Sequence, residues 1–84
     1  MDVVWTKHAE RRQQEWLTAR GITRSHAEDV VRNPEQEVKG HNGLLVAQTR
    51  MQGGLLRVPF FEVDENRTVV TVYWTSQTRR YWEE

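Results

Sequence analysis

Eighty-four residues suffice for one domain and leave no room for a second core. Hydrophobic residues make up 37% and charged residues 29%, a globular composition, and the lack of cysteine excludes disulfides and thiolate metal sites. Basic and acidic residues number 12 each, and zero net charge argues against a generic polyanion binder, whose affinity rests on positive charge.

Met1 to Trp5 carries no basic leader and no long apolar run. Neither a signal peptide nor a membrane span is read there, and a cytoplasmic setting is expected. Val3-Val4-Trp5 reads as a brief strand or a lead-in that docks on the core. Thr6 is placed to cap a helix from Lys7 to Arg20, in which Ala9, Gln13, Trp16, Leu17 and Arg20 recur at helical spacing. Gly21 ends it in the C′ position. Thr23 caps a second helix, Ile22 serves as a hydrophobic staple onto Ala27, and Asn33-Pro34 stops it.

Beyond Pro34 the apolar period changes to that of strands. Asn42-Gly43 is a strong hairpin signal, Leu44 to Met51 reads as a strand, and Gln52-Gly53-Gly54 turns the chain into Leu55 to Val63. A turn over Asp64 to Arg67 leads into a final strand, Thr68 to Ser76. Pro59 cannot donate to a ladder, so its strand is expected at an edge or bulged. The expected fold class is α+β: two N-terminal helices packed on a three- to four-stranded antiparallel sheet. Trp16, Val30, Val31, Val70, Val72 and Trp74 would form the core, leaving Thr71, Tyr73, Thr75 and Arg57 on the opposite face.

Ten of the 12 basic residues are Arg, only Lys7 and Lys39 being lysines. Arg suits bidentate phosphate contacts and stacking on bases, although solvated arginines paired with local carboxylates are the commoner case. His8 opens the first helix, where the backbone N–H groups disfavour its cationic form, and Arg12 shares its helix face. That pair would serve as a general base with a phosphate ligand; the plainer reading is a structural histidine. His26 and His41 have ordinary places in a first helical turn and a hairpin. No metal-ligand spacing occurs. Thr75 to Trp82 combines hydroxyls, Arg79, Arg80, Tyr81 and Trp82, which suits either an RNA grip or a tail docked on the core. Ser76 lacks a nucleophile elbow.

His8-Ala9 with Arg12, Arg20-Gly21-Ile22-Thr23, Asn33-Pro34 and Thr71-Val72-Tyr73 together resemble a family of small domains of unknown function. That family is in turn similar to the BrnT and RelE-type toxins, with which the chain shares the His-Ala-x-x-Arg opening and the late Arg79-Arg80-Tyr81. The resemblance implies a RelE/BrnT-like fold and a toxin-like ribonuclease that needs no metal or other cofactor. The ribose 2′-OH would attack the adjacent phosphate while basic groups stabilise the developing charge. His8, Arg12, Arg57, Arg80 and Tyr81 would be the catalytic set, and Arg11, Tyr73, Thr75 and Arg79 would bind RNA. An antitoxin protein would be its partner. The alternative is a non-catalytic module that binds protein or nucleic acid, and a homodimer through an edge strand at Pro59 is a third option. The ribonuclease reading requires His8, Arg12, Arg57, Arg80 and Tyr81 to converge on one concave surface.

Overall fold

The computed structural model describes residues 1–84 as three helices packed on a six-stranded mixed sheet. In chain order the elements are β1 (Val3–Trp5), α1 (Lys7–Arg20), α2 (Arg24–Arg32), β2 (Gln36–Lys39), β3 (Leu45–Met51), β4 (Gly54–Val63), β5 (Asn66–Val69), β6 (Tyr73–Thr75) and α3 (Thr78–Tyr81). The sheet runs β1-β5-β4-β3-β2, and β6 also pairs with β4. The α+β class holds. The two expected helices are joined by a short third, α3. The expected three- to four-stranded antiparallel sheet is corrected to six strands and mixed, because β1 joins it parallel to β5 and the expected final strand is divided in two.

Local chemistry explains the helices. The Thr6 hydroxyl accepts from the Ala9 N–H at 3.1 Å and donates to the Val69 carbonyl at 3.0 Å, so one side chain both caps α1 and ties it to β5. Gly21 ends α1 at φ 68°, a left-handed conformation that glycine adopts freely, and its N–H reaches the Leu17 carbonyl at 2.9 Å. Thr23 and His26 cap α2 reciprocally: the His26 N–H donates to the threonine hydroxyl, and the Thr23 N–H donates to the His26 Nδ1.

Ala9, Ile22, Ala27, Val30 and Val31 from the helical half meet Ala47, Leu56, Val58, Phe60, Val69 and Val72 beneath them. Full burial of each large aliphatic or aromatic side chain stabilises the fold by roughly 1.5–3 kcal/mol. Trp16 and Trp74 flank this core half-buried, whereas Val69 occupies the place expected for Val70. The exchange has a geometric cause. Between the pairs Phe60↔Val69 and Arg57↔Tyr73, β4 advances three residues and its neighbour four. One extra residue shifts the alternation, as a bulge does, so that Val69 and Val72 both face the helices.

Pro59 lies opposite this break. Its carbonyl accepts from the Val70 N–H at 2.9 Å, so the side of β4 on which proline lacks a donor faces the interrupted neighbour. Of the two expected positions the edge is corrected, since β4 is central with β3 on one side and β5 and β6 on the other, while the expected bulge lies in the neighbouring chain opposite Pro59. A homodimer through an edge at Pro59 has no edge to use. No helix is long and apolar enough to cross a membrane.

Candidate functional site

Alternation along the strands sends Ala47, Leu56, Val58 and Phe60 toward the helices and places Gln48, Arg57 and Pro59 on the other face. On that face four side chains form one row straight across the sheet: Gln36 of β2, Gln48 of β3, Arg57 of β4 and Tyr73 of β6, each in register with the next. Arg57 is 6% exposed and Gln48 is fully buried. The Arg57 Nε–H donates to the Gln48 Oε1 at 2.8 Å, and one Nη donates to the Tyr73 phenol oxygen. Its Cζ lies 3.9 Å from the Tyr81 ring centre and 5.6 Å from that of Tyr73. The two rings meet edge-on with centroids 6.5 Å apart.

Arg57 has no carboxylate within ion-pair distance. Arg67, also largely buried, shows the contrast: it pairs with Glu37 at 2.8 Å and Glu62 at 3.6 Å and donates to the Val31 carbonyl. Such pairing is the usual condition for burying a charge. Arg57 instead has only neutral partners, its second Nη makes no hydrogen bond within the protein, and the residue lines an open cavity of about 500 Å³. Val38, Leu44, Val46 and Pro59 form the apolar wall of this cavity, and His41, Thr71, Tyr73, Arg80 and Tyr81 the polar one. Arg80 lies 5.2 Å from the Tyr81 ring and donates to the Gln77 side chain at 3.3 Å. The lone lining carboxylate, Glu83, forms no ion pair with either arginine. Burial raises the Tyr73 pKa above 10.0, outweighing the downward pull of the Arg57 guanidinium, and the Tyr81 phenol adds a smaller upward contribution. Tyr73 thus holds its proton across the neutral range. No protein-family model, curated protein or solved structure matches the chain.

The structure brings together Arg57, Arg80, Tyr81 and Tyr73. It does not bring His8 or Arg12 to them. Helix α1 docks on the helix-bearing side through Ala9 and Gln13, which leaves His8 exposed and pairs Arg12 with Glu15 at 2.7 Å. Gln13 is spoken for as well, donating to the Ile22 carbonyl. Arg11 is exposed on α1, and Arg79 is exposed on α3 without lining the cavity. Thr75 receives the Gln77 N–H in a turn. The expectation of one concave site uniting His8 with Arg80 is therefore corrected, because the two flank opposite faces of the sheet. His26 serves its helix cap. Sequence reasoning passed over Gln36, Gln48 and a cavity role for His41. Strand alternation gave no signal for Gln48: it shares its face of β3 with Val46 and Arg50, away from the helices, and it is buried only because Arg57 and the segment around Tyr81 close over it.

Proposed function

We propose that the open sheet face binds single-stranded RNA, with a backbone phosphate seated on Arg57 and Arg80. The observation that carries this reading is a buried arginine that has no carboxylate partner, keeps its second Nη free and lines a cavity with aromatic walls. An anion would supply the missing counter-charge, and charge-assisted bonds in a partly desolvated site are strong. Because the Gln48 amide already occupies Nε, the guanidinium would meet phosphate end-on through its two Nη groups. A base would lie against Tyr73 or on the apolar wall.

Fluorescence anisotropy with a labelled single-stranded RNA tests this. Arg57→Met is expected to weaken binding at least about tenfold, the scale of a lost charged hydrogen bond. Equal affinity of wild type and Arg57→Met would exclude the site. His8→Ala is expected to leave affinity unchanged, since His8 lies away from the cavity.

Cleavage by this face is a second reading, supported by the protonated Tyr73 and by His41 on the same cavity. His41 would accept the 2′-OH proton as the 2′-oxygen bonds to phosphorus, and Tyr73 would give its proton to the departing 5′-oxygen. Intact RNA after long incubation with binding-competent protein would leave the binding module. Fragments lost in both His41→Ala and Tyr73→Phe would support the ribonuclease reading.

A further inference from the structure

The C-terminal segment is held on the open face by two glutamines. Gln36 and Gln48 are cross-strand neighbours, and the Gln48 Nε2 donates to the Gln36 Oε1 at 2.8 Å. The same Nε2 donates to the Tyr81 carbonyl at 3.1 Å, while the Gln48 Oε1 accepts from Arg57. Gln36 pairs with the Glu83 backbone in both directions: its Nε2 donates to the Glu83 carbonyl, and its Oε1 accepts the Glu83 N–H at 3.1 Å. A side-chain amide paired in this way acts as a strand backbone would. Trp82, between these anchors, stacks against Arg50 at 4.1 Å.

Every polar atom of the fully buried Gln48 is thereby assigned, and its amide has one orientation that satisfies all partners. Turning it over would set its Nε2 against the Arg57 Nε–H and its Oε1 against the Gln36 and Tyr81 oxygens. We propose that Gln48 and Gln36 are positioning residues that fix the Arg57 fork and couple it to docking of Tyr81–Glu83, so that ligand bound at Arg57 tightens the C-terminal segment and release of that segment loosens Arg57. The ligand half of this proposal rests on the RNA-binding reading; the coupling between Arg57 and the segment stands without it.

Gln36 is the informative residue because it touches neither Arg57 nor the cavity. It is only half-buried, and its substitution leaves the helix-side core intact. Hydrogen exchange of the Arg57 Nε–H and the Glu83 amide, followed by NMR in wild type and Gln36→Ala, tests the coupling. Both protons are expected to exchange about five- to tenfold faster, in proportion to one lost hydrogen bond, while core amides of α2 are unaffected. Faster exchange at Glu83 with an unchanged Arg57 Nε–H would overturn the proposal. Gln48→Glu is the second variant. Its carboxylate would pair with Arg57 but repel the Tyr81 carbonyl, and it is expected to release Trp82 and reduce RNA affinity at least about tenfold with the fold retained. Retention of both Trp82 burial and RNA affinity in Gln48→Glu would also overturn it. By reciprocity, RNA is expected to slow Glu83 exchange in the wild type. A wild type that binds no RNA but whose two protons respond together in Gln36→Ala would refute the RNA reading alone.

Discussion

Arg57 and Arg67 differ in what surrounds them more than in how deeply they lie. Arg67 bridges β2 and β4 carboxylates and serves the fold, whereas Arg57 is surrounded by an amide and two phenols. A buried charge without a counter-charge costs stability, and its replacement by a packed apolar side chain is often neutral or favourable. Arg57→Met removes that uncompensated charge but leaves the buried Gln48 Oε1 without its donor, two opposing effects of similar size. The Tm is therefore expected to change little while RNA affinity is lost, a divergence visible by setting thermal denaturation beside anisotropy. A large fall in Tm would assign Arg57 to the fold instead. Tyr73 adds a pH dependence. Because burial raises its folded pKa above 10.0, the folded chain keeps a proton that the unfolded chain releases at alkaline pH. The contribution is complete below pH 10.0 and is lost as pH rises through the folded pKa. Tyr73→Phe should flatten that alkaline decline in urea-denaturation midpoints; an unchanged slope would refute the assignment.

At the scale of elements, both long helices are legible in the sequence because their ends are local chemistry. Thr6, Gly21, Thr23 and Asn33 act within a turn of where they stand. The Thr6 hydroxyl also bonds β5, so Thr6→Ala is expected to cost about 1–2 kcal/mol in chemical denaturation, at the upper end for a lost cap. Gly54 is a tighter constraint, since a Cβ there would lie 2.2 Å from the Thr75 carbonyl oxygen and 2.7 Å from the Trp74 ring. Gly54→Ala should part β6 from β4 and cost about 1–3 kcal/mol, as overpacking does. The division of the last strand was not legible. Val69 to Thr75 reads as unbroken alternation, and only the pairing of β4 with two partners, out of register by one residue, reveals the bulge. Parallel pairing of β1 with β5 was equally hidden, because it joins residues more than sixty positions apart.

For the whole molecule, zero net charge limits how the chain meets a polyanion. With a single backbone phosphate shared by Arg57 and Arg80, log affinity for single-stranded RNA should fall against log salt with a slope of about −0.7, the value for one phosphate contact. A slope several times steeper in an anisotropy titration would indicate a broad basic surface instead. The sequence by itself determined the α+β class, the limits of α1 and α2 and the turns at Asn42-Gly43 and Gln52-Gly53, because capping and positive φ depend on neighbours along the chain. It also marked Arg57, Tyr73, Arg80 and Tyr81. Only the tertiary structure decided that these gather while His8 and Arg12 stand apart, and that Gln36 and Gln48 join them. The reason is physical: a site's membership depends on which face each element buries and which strands lie in register, and both are settled by long-range packing rather than by spacing along the chain.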